Sequence, residues 1–72
     1  MLSFALGDGG RTVKINCDEE GMAKLIKALE RVRADGNHIH LRTPSDGGRD
    51  LDEKTPWGED AIYEVILNWV GD

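Results

Sequence analysis

The fold of this chain is decided in residues 38–51, which read HIHLRTPSDGGRDL, because a strand pattern runs there directly into a glycine-rich polar loop. Two apolar residues, Ile39 and Leu41, alternate with three basic ones, which are His38, His40 and Arg42. This period of two is typical of a β-strand with one buried face. We therefore expect the apolar pair to face a core and the three basic side chains to share the outer face.

A β-hairpin is predicted before this strand. Apolar residues alternate with smaller or polar ones on both sides of a glycine-rich turn at residues 7–10, first at Leu2, Phe4 and Leu6 and then at Val13, Ile15 and Cys17. The single cysteine, Cys17, excludes an internal disulfide framework, and its place in the alternation predicts a small buried side chain.

One amphipathic helix is predicted between the hairpin and the strand. Asp18 is a favourable N-cap residue, and Gly36 is the natural stop because it adopts the left-handed conformation without a Cβ penalty. Apolar residues recur at three- and four-residue steps, as expected for a helix with one buried face. We expect the helix face of Met22, Leu25, Ile26 and Leu29 to pack against Phe4, Val13, Ile15, Ile39 and Leu41.

The last apolar segment, residues 61–70, fits two periods. A period of two places Ala61, Tyr63, Val65, Leu67 and Trp69 on one face, whereas a helical period groups Ile62, Val65, Ile66, Trp69 and Val70. β-Branched and aromatic residues dominate, which favours a strand with Glu64 and Asn68 on the solvent side. The predicted fold is α+β: a single domain, residues 1–72, of ββαββ order, with a four-stranded sheet and one amphipathic helix packed on one face.

Size and charge restrict the classes of function. A chain of 72 residues leaves little room for a deep catalytic pocket. Nine basic against fourteen acidic residues give a net charge of −5, which repels nucleic acid and favours a basic partner. Its apolar runs fall short of the roughly 20 residues that span a bilayer, and residues 1–6 lack the basic leader of a secretory signal. We expect a cytoplasmic protein with neither a nucleic-acid nor a membrane partner.

The two histidines raise the alternative of a metal site. His38 and His40 project on the same side of the predicted strand, and one loop carboxylate would complete the donor set of a catalytic zinc site. The candidate carboxylates are Asp46, Asp50, Asp52 and Glu53. Because the sequence does not place this third ligand, a histidine pair that faces solvent or a partner is the preferred interpretation.

No motif of covalent or phosphate chemistry is found in the sequence. The glycines at positions 47 and 48 match neither an EF-hand nor a P-loop, and neither Ser3 nor Ser45 lies in a nucleophile elbow. We therefore expect a protein that is not an enzyme and that carries neither a cofactor nor a metal.

A long loop, residues 43–60, follows the strand. Its eighteen residues exceed the roughly 12–15 residues beyond which a structureless loop is usually functional or mobile. Within the loop, Trp57 follows Pro56. This tryptophan is either an exposed anchor for a protein partner or a lid over the sheet edge.

Several short motifs occur in a fixed order after the hairpin and the helix: HIHL at 38–41, Thr-Pro at 43–44, Gly-Gly at 47–48, and Leu51. In these motifs the chain resembles the immunity protein 32 family of bacterial polymorphic toxin systems. It departs from that family at Asp46, where tryptophan is frequent, and at Arg42, where an apolar residue, usually methionine, is expected. The resemblance implies a binder that sequesters a cognate toxin in the cytoplasm without catalysis.

The predicted partner-binding residues lie on the outer face of the strand or in the adjoining loop, and they are His38, His40, Arg42, Ser45, Asp46, Arg49, Asp50 and Trp57. The expected partner is a basic protein toxin. Two alternative functions stay open: a small accessory or oligomeric scaffold protein, and a His-x-His metal-binding protein. In addition, the chain is a candidate for a homodimer that pairs through a sheet edge.

Overall fold

The computed structural model describes residues 1–71 and has the predicted element order, with one α-helix between two pairs of strands. The strands are β1 (Leu2–Gly7), β2 (Thr12–Cys17), β3 (His38–Arg42) and β4 (Glu64–Asn68), the helix is α1 (Glu19–Asp35), and 3₁₀ turns lie at Asp8–Gly10 and Pro44–Asp46. The predicted α+β class is confirmed. So is the choice of a strand for the last apolar segment.

The four strands form two antiparallel sheets of two strands each, β1–β2 and β3–β4, rather than one sheet of four. The second edge of β1 hydrogen-bonds to the long loop and its end: Leu2 O accepts from Asp52 N at 2.8 Å, and Phe4 O accepts from Ile62 N at 2.7 Å. Because these residues take the polar groups at that edge, neither β3 nor β4 lies alongside β1 in the described part of the chain.

Both predicted ends of α1 are confirmed. The Asp18 side chain accepts a hydrogen bond from Gly21 N at 2.8 Å, which satisfies one of the free N–H groups of the first turn. At the other end Gly36 has a φ of 63°, and its N–H donates to Val32 O at 2.9 Å. These caps fix the helix length from local sequence signals.

The buried face of α1 differs from the predicted one. The buried or half-buried positions that pack inward are Gly21, Leu25, Ala28 and Val32. Three residues predicted in the core, Met22, Ile26 and Leu29, are instead 47–50% exposed. A Cβ atom on Gly21 would lie 1.7 Å from the backbone oxygen of Met1, so the helix contacts the start of β1 through its glycine. Because of this close approach, α1 is rotated about its own axis relative to the prediction. Leu25 is the only one of its four predicted core residues that still packs inward.

The hairpin contributes only its base to the core. Leu2 and Phe4 are buried together with Ala28 and Leu41, whereas Val13 and Ile15 on the neighbouring strand are at least half exposed. The prediction that Phe4 and Leu41 are core residues is confirmed, and the prediction for Val13 and Ile15 is wrong. Leu51 of the long loop, which is 3% exposed, completes the core near the end of β3.

Candidate protein-binding surface

The outer face of the β3–β4 sheet is built by the strand register. His38 lies opposite Asn68, His40 opposite Ile66, and Arg42 opposite Glu64. Ile39 and Leu41 are paired with Leu67 and Val65 on the opposite face, which packs against the core. The three basic side chains therefore share one face, as the alternation predicts. The rings of the two histidines meet edge to face, with their centroids 5.2 Å apart.

Glu64 connects two of these basic side chains. Its Oε2 lies 2.9 Å from His40 Nδ1 and accepts a hydrogen bond from Arg42 Nε, also at 2.9 Å. The Arg42 guanidinium, and then His40, hold the pKa of the Glu64 carboxyl below its usual range, and the same contact with Glu64 raises the pKa of Arg42. Asp46 Oδ2 lies 3.7 Å from Arg42 Nε, an ion-pair distance that is too long for a hydrogen bond.

The first part of the long loop folds back along the end of β3. Arg42 O accepts from both Asp50 N and Leu51 N at 3.1 Å, and Arg42 N donates to an Asp50 carboxylate oxygen at 3.2 Å. A Cβ atom on Gly48 would lie 2.3 Å from that of Arg42, so only glycine permits this approach. The loop is thus ordered by backbone hydrogen bonds, although its sequence has no strand or helix period.

Ser45 is held between two parts of the chain. Its N–H donates to the Glu53 carboxylate, and its carbonyl oxygen accepts from the Tyr63 hydroxyl at 2.9 Å. Thr43 is buried, and its hydroxyl donates to Tyr63 O at 2.9 Å. These contacts link the loop to the residues just before β4. Arg49, another predicted site residue, is exposed on the same loop.

A second, smaller hairpin in residues 54–60 carries Trp57. Lys54 and Asp60 form a single antiparallel bridge, and the turn between them is closed by a hydrogen bond from Gly58 N to Thr55 O at 3.0 Å. Gly58 has a φ of 84°, which is the conformation that this type of three-residue hairpin loop requires of its last residue. Trp57 is 72% exposed at the tip, so it is not a lid.

Side chains also stabilise this hairpin. Thr55 is 5% exposed, and its hydroxyl oxygen accepts from Trp57 N at 3.3 Å and from Glu59 N at 3.2 Å. The ion pair of Lys54 with Asp60 raises the pKa of the lysine and lowers that of the aspartate. Trp57 is therefore presented to solvent on a backbone that is fixed at both of its ends.

The structure places five of the predicted site residues along β3 and at its end: His38 and His40 lie on the strand, and Arg42, Asp46 and Asp50 meet where it ends. Ser45 lies in the adjoining 3₁₀ turn, and Trp57 lies on the separate small hairpin. Sequence reasoning placed Glu64 on the solvent side but missed it as the residue that orients His40 and Arg42. The register of β3 against β4 was the signal required, because it alone places Glu64 opposite Arg42.

The excess negative charge is confined to one segment. Residues 43–64 contain seven acidic and two basic residues, so this segment alone carries a net charge of −5, the same as the whole chain. The rest of the chain contains seven acidic and seven basic residues. This segment includes the loop at the end of β3 and the hairpin of Trp57. Within residues 1–71, no three His, Cys, Asp or Glu side chains are grouped so that they could hold a metal ion.

No family model, curated protein or solved structure matches the chain.

In the described residues, α1 has 17 residues, and no helix is long and apolar enough to cross a membrane.

Proposed function

We propose that this chain is a protein-binding domain that neutralises a basic cognate toxin without catalysis, as its resemblance to the immunity protein 32 family implies. The observation that carries the proposal is Trp57, 72% exposed on a hairpin that is fixed by Thr55. A large aromatic side chain on a rigid support is the typical anchor of a protein interface.

The rigidity of the support favours tight binding. Association is opposed by the entropy lost when loops and side chains become ordered, and a backbone that is already fixed loses less. Here the turn is closed by hydrogen bonds between Thr55 and Gly58 and between Thr55 and Glu59. Trp57 therefore enters a pocket on a partner without first ordering its own loop.

The charge around the anchor favours a basic partner. The segment 43–64 carries a net charge of −5, and Trp57 lies within it. Complementary charge increases the rate of encounter and disfavours partners of the wrong sign more than it adds to total affinity. The side chains of His40, Arg42 and Glu64 lie beside this acidic segment. They would then help to orient the partner and to distinguish it from other proteins.

The test is growth rescue on co-expression with the protein encoded by the gene next to that of this chain, which we expect to be the toxin. We expect Trp57→Ala to lose protection while it keeps the circular dichroism spectrum and melting temperature of the wild type. Val70→Ala is the matched control, because Val70 is exposed and apolar but lies outside the acidic segment. A folded Trp57→Ala variant that protects as fully as the wild type would refute this interface.

Charge is tested separately by two matched reversals. Glu59→Lys should slow association with the toxin and weaken its dependence on salt, whereas Glu30→Lys on α1 should change the association rate less, because Glu30 lies outside the acidic segment. Equal effects of the two reversals would show that only the total charge matters. Failure of the wild type to bind or to protect would instead favour the accessory or scaffold alternative.

A further inference from the structure

A second surface, distinct from the acidic segment, is unusually apolar. Six aliphatic or thioether side chains on the hairpin and on one flank of α1 are each 47–61% exposed: Leu6, Val13, Ile15, Met22, Ile26 and Leu29. We call this set the hairpin–helix surface. Single exposed apolar residues are normal, but a group of this size on adjacent elements marks an interaction surface.

The two parts of the hairpin–helix surface lie on the same side of the molecule. β1 hydrogen-bonds to Asp52 at Leu2 and to Ile62 at Phe4, so it crosses from the outer edge of β3 toward the side of β4. Leu6 lies beyond these bonds, opposite Val13 on β2. The flank of α1 with Ile26 and Leu29 also faces β4 and borders a groove of about 510 Å³ whose other wall includes Leu67 and Trp69.

β2 adds an unpaired strand edge to this surface. Its six residues pair with β1 on one side, and in residues 1–71 no further strand lies along its other side. A free edge presents backbone N–H and C=O groups that can pair with a strand of another chain. The edge is apolar on the face that carries Val13 and Ile15, so pairing would also extend the apolar face.

The accessible surface is larger than a compact monomer needs. The described chain exposes 5228 Å², whereas a folded monomer of 8.0 kDa is expected to expose about 4,450 Å². The excess is roughly 800 Å², which is the area that each partner buries in an interface of standard size. The hairpin–helix surface contains six of the eleven large apolar side chains that are exposed in residues 1–71, so we place such an interface there.

Charge favours a second copy of the chain over a strongly basic partner as the occupant. Residues 1–42 and 65–72, which include the whole hairpin–helix surface, contain seven acidic and seven basic residues. Two copies of this neutral part do not repel each other by net charge, whereas a strongly basic toxin gains nothing from it. We propose that the hairpin–helix surface is a homodimer interface, in which the same surface of a second copy packs around a two-fold axis. The acidic segment of each copy then stays free for its own partner.

Sedimentation equilibrium of the full chain at increasing concentration tests this proposal. We expect the wild type to reach twice its mass of 8.0 kDa. Ile26→Glu should weaken the dimer at least tenfold, since it places a charge in the apolar centre of the interface. The matched control is Ala23→Glu, which adds the same charge to an exposed position of α1 that does not line the groove and should leave the dimer intact.

A second variant on a different element protects the test against a folding defect. Val13→Lys on β2 should dissociate the dimer as well, and circular dichroism reports whether each variant is folded. A wild type that stays at 8.0 kDa at every concentration overturns the proposal, even if its hairpin–helix surface binds another protein. So does a folded Ile26→Glu or Val13→Lys variant that dimerises like the wild type, or an Ala23→Glu variant that dissociates equally.

Discussion

Arg42 and Glu64 face each other across the β3–β4 pair, and Arg42 Nε donates to Glu64 Oε2 at 2.9 Å. His40 reaches the same oxygen from two residues earlier on β3, at 2.9 Å. One carboxylate therefore fixes two of the three basic side chains on the outer face. A charge-assisted contact of this kind depends on the ionisation of the carboxylate.

The Glu64 contact should make part of the stability depend on pH. The pKa of Glu64 is lower in the folded chain than its usual 4.5, so its stabilising effect is complete above 4.5 and is lost as the pH falls through the lower folded value. Glu64→Gln should therefore be less stable than the wild type at neutral pH, with a difference that shrinks at acid pH. Denaturant unfolding between neutral pH and about pH 3 measures this difference.

Glu59→Gln is the control for that experiment, because the Glu59 side chain accepts no hydrogen bond among residues 1–71. Its stability difference from the wild type should stay small at every pH. A difference for Glu64→Gln that is the same at neutral and acid pH would contradict the role assigned to the carboxylate.

Gly21→Ala should destabilise the fold, although alanine is the better helix former by about 1 kcal/mol. The new Cβ atom would lie 1.7 Å from Met1 O, and a backbone oxygen cannot move aside as a flexible side chain can. We expect a cost of about 1–3 kcal/mol or more, as for other overpacked sites. Ala23→Gly on the exposed face should cost only the propensity difference, about 0.5–1 kcal/mol. Thermal and denaturant unfolding compare the two, and a more stable Gly21→Ala would contradict the close approach.

Leu41→Ala and Leu29→Ala should differ clearly in cost. Leu41 is 5% exposed, so its truncation should cost about 2–5 kcal/mol, which is a large part of the stability of a small domain. Leu29 is 50% exposed and should cost less. Denaturant unfolding at low protein concentration, where dimerisation contributes least, measures both variants. An equal or larger loss for Leu29→Ala would restore the helix face expected from the sequence.

Thr55→Val should loosen the hairpin that carries Trp57. Valine has nearly the same shape but removes the oxygen that accepts from Trp57 N and Glu59 N. We expect a loss of about 1–3 kcal/mol and faster amide hydrogen exchange at both residues. Thr12→Val, at an exposed position of β2, should have little effect. Unchanged exchange at Trp57 in a folded Thr55→Val variant would show that the hydroxyl does not hold the turn.

The sequence predicts the elements better than their packing. Asp18 and Gly36 end the helix through contacts within a few residues, so local patterns suffice to place them. The buried face of α1 depends instead on Gly21 meeting Met1. That contact joins residues that are far apart in the sequence. The helix has apolar residues on two flanks, and the helical period alone does not show which flank is buried.

The candidate binding surface, like the fold, was predicted only in part from the sequence. The alternation of residues 38–42 places His38, His40 and Arg42 on one face, which the register confirms. The role of Glu64 requires knowledge of which residue lies opposite Arg42, and the order of the loop requires the backbone hydrogen bonds at the end of β3. Both are long-range properties that neither composition nor period encodes.

The confinement of the excess charge to residues 43–64 makes recognition separable from folding. This segment is attached to the frame through a few buried groups, among them Thr43, Leu51 and Thr55. Asp50 and Asp52 are exposed, but their carboxylates accept hydrogen bonds from the backbone N–H groups of Arg42 and Leu2, so they belong with these attachment points. If all of these are kept, the other exposed positions of the segment can be exchanged between related chains or redesigned for a partner of opposite charge. Such changes would leave the residues that hold the fold unaltered, so the chain could acquire a new binding specificity without losing stability.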